Sequence, residues 1–260
     1  MMKALVTNDF STSSDADATR WQGRALLRPG VLAFEGPVWP TEIHAHHAVQ
    51  IVAADTPIVV VDGGGVRRNG AHIVVPTDAP HRVAEGAAHG IAVYLDPETV
   101  AGAAADRRAH LHGWVHSLAV DPAHGELTDH VTDLLADLLR DDPQAGQGDR
   151  HGVVTAALQL LPEMVQDGSV RGSDVARQLG ISATRLTHLF TEQVGIPLRR
   201  YILWLRLHIA MTRVLAGDDV STASYAAGFT DDAHLIRTCR RTFGLPPSMM
   251  GTHVDWDISL

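Results

Sequence analysis

The sequence predicts a two-part α and β chain: a β-rich first half folded as a sandwich or small barrel with helices after it, then an all-α second half built on two helix-turn-helix units. Three observations predict it. Apolar stretches of strand length, separated by turn residues, fill residues 21 to 95; apolar spacing of three and four residues takes over after Asp96-Pro97; and a short helix, tight turn and second helix occur twice between 153 and 250. A chain of 260 residues can hold two hydrophobic cores. Hydrophobic residues at 45% and charged residues at 20% exclude a wholly disordered chain. The single cysteine, Cys239, excludes a disulfide scaffold and a cysteine-rich zinc module. No apolar run reaches the ~18 to 20 residues that cross a bilayer, and the N-terminus has no apolar core before its polar stretch, so a cytoplasmic protein without a membrane partner is expected.

In the first half the strands are RALL, VLAF, VQIVAA, PIVVVDGGG, AHIVVP and HGIAVYL. Gly63-Gly64-Gly65 and Asn69-Gly70 are the expected hairpin turns, since both can supply positive φ. Leu127, Val131, Leu134, Leu135, Leu138 and Leu139 form the stripe of an amphipathic helix, with Asp129, Asp133 and Asp137 on other positions. That stripe suits packing against the barrel or the seam of a homodimer, and the pattern leaves both open. These features divide the chain into an arm (1–20), a β-rich domain with trailing helices (21–140), a linker DDPQAGQGDRHG (141–152), a helical domain (153–250) and a tail (251–260).

The helical half opens with VVTAALQLL, which Pro162 is expected to kink or end. Ser173 then caps a short helix, DVARQL, that Gly180 stops, and Ser182 caps ATRLTHLFTEQV up to Gly195. Two short helices joined by the tight turn Gly180-Ile181-Ser182 are the unit whose second helix enters the major groove of DNA. A helix from Leu198 to Ala216 follows. After it Thr222 starts ASYAA, Gly228-Phe229-Thr230 turns, and Asp231 caps DAHLIRTCRRTF up to Gly244, with Pro246-Pro247 as the stop. At ~1.5 Å per residue the connecting helix spans about 28 Å, near the ~34 Å between successive major grooves.

Charge divides along the same boundary. Residues 1–150 carry 11 Lys and Arg against 20 Asp and Glu, whereas 171–250 carry 10 Arg against 6 acids, so the half with the helical repeat is the one suited to a polyanion. The segments DVARQLGISATRLTHLF, GIPLRRYILWLRLHIAMTRVL and YAAGFTDDAHLIRTCRRTFGLPP, with their Gly-Phe turn, Phe243-Gly244 end and Pro247, resemble the AraC/XylS family of transcription regulators over residues 153 to 250. The resemblance implies double-stranded DNA as partner and a first half that senses a ligand or dimerises. Carried over by position, it places Thr184, Thr187 and His188 at base edges in the first unit, and Asp232, Ala233, His234 and Arg237 in the second. The family commonly has arginine where this chain has His188. Arg199, Arg200, Arg206, Arg240 and Arg241 lie on a solvated face or meet phosphate. Leu186, Phe190, Leu235 and Phe243 are expected in the core.

The first half resembles a cupin, a β-barrel of jelly-roll type. The segment from Gly36 to Gln50 (GPVWPTEIHAHHAVQ) carries a His-x-His pair with a polar residue four positions after the second histidine, and GAHIVVPTDAPH has Gly, Pro and His at the spacing of a second motif. The resemblance implies an effector pocket with Trp39, His44, His46, Gln50 and His81, the last four being the positions that would hold a divalent metal such as Zn, Ni, Cu or Fe. Alternation on a strand would point His44 and His46 to one side. Gln50 stands where the motif has glutamate and Asp78 where it usually has glycine. The alternative to metal is a polar pocket for an organic effector. His47, His72 and His89 are expected to be exposed.

A transcription regulator answering a small-molecule or metal effector, acting as a homodimer and not an enzyme, is the leading expectation. A metal-dependent cupin enzyme fused to a DNA-binding tail, and a constitutive DNA-binding dimer, are the alternatives.

Overall fold

The computed structural model describes residues 22–118, 120–122, 124–140, 151–166, 168, 170–244 and 254–258. The expected arm, all but the end of the linker, and the Pro246-Pro247 stop lie outside them.

A sheet region comes first. Strands β1 (Gly23–Arg28), β2 (Val31–Val38), β3 (Val49–Asp62), β4 (Arg67–Val75), β5 (His81–Glu85) and β6 (Ala87–Leu95) pair in the order β4-β3-β6-β2-β1, with β5 also on β3. Side-chain alternation assigns the faces. Ile51, Ala53, Val74, Val93 and Leu95 point to a core shared with helices α1 (Val100–His112) and α2 (Leu127–Leu139), while Val52, Ile58, Val60, Ile73, Val75 and Val83 form a second core on the opposite face. The Gly63–Gly65 segment turns β3 into β4 as expected, with Gly65 at φ +83°. Asn69-Gly70 is not a turn: both residues lie inside β4, opposite Val59 and Ile58. Gly70 serves close approach instead, since a Cβ there would meet Val115 Cγ1 at 2.6 Å.

The leucine stripe of α2 is not a free seam. Leu127, Val131, Leu134 and Leu138 are buried against the sheet, and Asp137 accepts from Arg108 of α1 at 2.7 Å. Burial of one apolar face is what stabilises a helix of this length, so a homodimer needs another surface.

The helical region contains α3 (Gly152–Gln166), α4 (Gly172–Gln178), α5 (Ala183–Val194), α6 (Leu198–Leu215), α7 (Val220–Ala226) and α8 (Asp232–Phe243). Pro162 sits inside α3 without ending it. The first cap is Arg171 rather than Ser173, with the Asp174 carboxylate accepting from the Arg171 N–H at 3.3 Å. Ser182 caps α5 and Asp231 caps α8, and both helices end on left-handed glycines, Gly195 and Gly244. Asp219, not Thr222, caps α7.

One core crosses between the regions. Leu27, Leu32, Ala48 and Tyr94 of the sheet pack with Leu161, Leu186, Phe190, Trp204 and Phe243 of the helices. At its centre the fully buried Asp96 carboxylate accepts from Trp204 Nε1 and from Arg200 Nε, both at 2.8 Å. The tail contributes a strand that periodicity did not suggest: β7 (Val254–Ile258) pairs parallel to β1, and Arg28 donates to Asp257 at 2.6 Å.

Candidate functional site

Two groups of residues carry chemistry. In the sheet region the backbones of His44 and His81 exchange two hydrogen bonds, 2.9 and 2.8 Å, which brings their rings to 4.4 Å between centroids. His46 joins them at 5.6 Å from His44 and 5.0 Å from His81. Each ring offers one nitrogen, and the three nitrogens lie within 4.8 Å of one another. The convergence expected from the sequence is present, but strand alternation is not its cause. Residues 43 to 47 are not an extended strand; His44 is held by its bridge to His81 and His46 by the loop entering β3. Asp78, in the place of glycine, has φ +57°, so this position does require a left-handed backbone. Its side chain accepts from His47 Nδ1 at 3.1 Å.

Hydrogen bonding fixes the ring tautomers. The Nδ1 atoms of His44, His46 and His81 face the carbonyl oxygens of Glu42, Ala48 and Ala79, each at 2.9 Å. A carbonyl only accepts, so each Nδ1 carries a proton, which leaves Nε2 as the lone-pair atom of a neutral ring. Burial pushes the His46 imidazole below the usual histidine range and His81 down to about 4, so both rings are neutral near pH 7. Gln50 Oε1 lies 3.3 Å from His46 Nε2 and 3.0 Å from His81 Nε2, and Gln50 Nε2 donates to Tyr94 Oη at 3.1 Å. In this amide orientation acceptors face acceptors. A cation bound among them removes the conflict; without one, an amide rotated by half a turn donates to both rings and takes the Tyr94 proton. The donor set therefore fits a divalent ion.

His44, Gln50 and Tyr94 also border a cavity of about 570 Å³ with Phe34, Val38, Val52, Val83 and Ala92 as apolar wall, Trp39 and Thr41 on its lining, and Gly244 entering from the helical region. Of the five pocket residues expected from the sequence, Trp39, His44 and Gln50 line the cavity, whereas His46 and His81 belong to the histidine cluster only. His47, His72 and His89 are half-buried rather than exposed: His72 accepts from Leu118 N, and His89 faces Pro122 O.

The second group lies on α5 and α8. Thr184, Thr187 and His188 are exposed on α5 while Leu186 and Phe190 are buried. Asp232, Ala233, Arg237 and Arg240 are exposed on α8, with Leu235, Cys239 and Phe243 buried beneath them. His234 is different. It is half-buried, its ring packs edge-on against Phe229 at 5.2 Å, and its Nδ1 accepts from Thr230 N, so it braces the turn before α8. Asp232 accepts from Ala233 N at 2.8 Å. Three arginines assigned to a solvated or phosphate-facing surface are engaged within the chain. Arg199 pairs with Glu98 at 2.8 Å, Arg200 with Asp96, and Arg206 is half-buried beside Val170 O. Asp96, Trp204, Tyr94 and Gly244 gave no sequence signal of a shared role, because they meet only when the two regions dock.

The paired helices define a helix-turn-helix protein, and a model of that domain ("Helix-turn-helix domain") matches residues 175–251. The match lies within the C-terminal region whose sequence resembles the AraC/XylS family. A similar protein is the transcriptional activator RhrA of Rhizobium meliloti, 27% identical over 128 residues, which cover 48% of this chain and 40% of RhrA. The chain thus spans about two fifths of that relative's length. Among solved structures, an AraC-type transcriptional regulator from Chromobacterium violaceum is 26% identical, covering 37% of this chain and 86% of its own, with a TM-score of 0.34. ToxT from Vibrio cholerae covers 85% of this chain and 97% of its own at 10% identity and a TM-score of 0.45. No helix among the described residues is long and apolar enough to cross a membrane.

Proposed function

We propose that this chain is a sequence-specific DNA-binding transcription regulator, with the α4-α5 and α7-α8 pairs as two helix-turn-helix units and a cupin-like sheet region that takes an effector. The carrying observation is that α5 and α8 each bury an apolar stripe and leave a polar face to solvent: Thr184, Thr187 and His188 on one, Arg237 and Arg240 on the other. A helix held from behind in this way can enter a major groove. α6, with 18 residues, separates the units by about 27 Å at ~1.5 Å per residue. Selection of bound duplexes from a random pool tests the reading. Two conserved half-sequences about one helical turn apart are expected, and binding without sequence preference would refute it.

For the effector, the convergence of three Nδ1-bonded histidines favours a divalent metal, held by Nε2 of His44, His46 and His81 with Gln50 Oε1 as fourth donor. Such an ion would supply a Lewis-acidic charge beside the cavity. Calorimetric titration of chelator-treated protein with Zn, Ni, Cu and Fe salts tests it. Stoichiometric binding lost in His81→Ala is expected; saturation by none of the four returns the cavity to an organic effector. Turnover of an organic substrate with Fe(II) in air would instead favour the fused-enzyme reading.

A further inference from the structure

We propose that the segment from His44 to Gln50 couples the histidine cluster to the last turn of α8, so that occupancy of the cluster repositions the second DNA-reading helix. This deepens the functional reading above and rests on its assignment of α8 to DNA.

The last carbonyls of a helix have no partners within it and must find them elsewhere. In α8, Arg240 O accepts from Gly244 N at 2.8 Å, which is the helix's own left-handed cap. The next two are capped by the other region: Arg241 O accepts from His47 N at 2.7 Å, and Thr242 O accepts from Ala48 N at 3.1 Å. Both donors lie between His46 and Gln50, whose side chains belong to the cluster. Ala48 joins the two systems within one residue. Its N–H holds Thr242 of α8, and its carbonyl accepts from His46 Nδ1 at 2.9 Å.

Two further contacts run in parallel. A Cβ on Gly244 would stand 3.0 Å from His44 Cδ2 and 3.2 Å from His46 Cδ2, so the end of α8 already rests on those two rings. Tyr94, which accepts from Gln50, packs edge-on against Phe243 at 6.2 Å. Drawing three imidazoles around an ion, or turning the Gln50 amide, therefore moves groups in direct contact with residues 241 to 244. Close-packed interiors pass such shifts on rather than absorbing them. α5 lacks this connection. Its last turn ends on Gly195, whose carbonyl accepts from Val100 N at 3.0 Å, away from the histidines.

The test uses the full chain and two arms. In the first, hydrogen exchange of peptides covering 47–50, 239–244 and 183–194 is measured on chelator-treated protein with and without Zn²⁺. In the second, His44→Ala and His46→Ala are compared metal-free with the wild type, in exchange and in affinity for a selected duplex. The expected result is an exchange change of threefold or more at 47–50 and 239–244 with 183–194 unaltered, and a shift of threefold or more in duplex affinity. Zn²⁺ that binds stoichiometrically yet leaves 239–244 unchanged, with both variants also unchanged there, overturns the coupling and leaves the regulator reading in place. If Zn²⁺ does not bind, the metal reading falls and the variant arm decides: altered exchange at 239–244 supports the coupling, and unaltered exchange overturns it. His44 is half-buried, so its variant remains informative if loss of the buried His46 ring unfolds the protein; melting curves identify that case.

Discussion

Arg237 and His234 are three positions apart on α8, yet only Arg237 is exposed. Arg237 is exposed, with Asp231 3.9 Å away, whereas His234 is committed to Phe229 and Thr230. Arg237→Ala is expected to weaken specific binding by about 1 to 3 kcal/mol and to relax preference at one position, measured by competition between selected and scrambled duplexes. Thr187→Ala should alter preference in the other half-sequence only.

The histidines allow a second prediction at this scale. His81 is buried with its proton affinity lowered to about 4, while an unfolded histidine titrates near ~6.5. Between those values the unfolded chain binds the proton and the folded one does not, so stability falls as pH drops through that window and levels off below about 4. One such group contributes about 3 kcal/mol across the window. Denaturant midpoints of metal-free protein at pH 7 and 4.5 should differ more in the wild type than in His81→Gln.

Among the elements, caps matter most because α5 and α8 are short. The Asp231 carboxylate accepts from His234 N at 2.6 Å and satisfies one of the donors left open at the start of α8. Asp231→Ala is expected to cost about 1 kcal/mol and to raise exchange in the first turn of α8, with α5 unaffected. Caps at Ser182, Gly195, Asp231 and Gly244 were legible because each is a local requirement of backbone conformation or of an unpaired N–H. Ser173 and Thr222 were misleading for the same chemistry. Asp219 lies three residues before Thr222 and takes both its N–H and its hydroxyl, at 2.8 and 3.1 Å, which starts the helix earlier.

Across the whole molecule, the shared apolar core between sheet and helices encloses one buried carboxylate. Asp96 is fully buried, and Arg200 and Trp204 both donate to it. Asp96→Ala leaves the buried Trp204 N–H without its acceptor and the half-buried Arg200 with only Glu98, 3.5 Å away, and is expected to cost about 2 to 4 kcal/mol. Chemical denaturation should show it, with the single transition expected of the shared core giving way to two. Arg200→Met, which removes the charge and keeps apolar volume, should cost less.

Local chemistry determined much of this protein by itself. Periodicity of two and of three to four residues separates the β-rich half from the helical half, and the serine, aspartate and glycine caps delimit α5 and α8. The motif positions named His44, His46, Gln50 and His81 as a set, and the bridge between His44 and His81 brought them together. Tertiary structure decided what those features touch. The α2 stripe lies on the sheet, where its leucines share a core with Ile51, Val74 and Val93. Arg199 and Arg200 face carboxylates about a hundred residues earlier in the chain. β7 joins β1 because an edge strand offers unpaired N–H and carbonyl groups to any segment that can reach it. The junction of Ala48, Gly244 and the histidine rings belongs to the same class: the histidines and Gly244 stood out in sequence for separate reasons, and only docking of the two regions sets a helix end against the cluster.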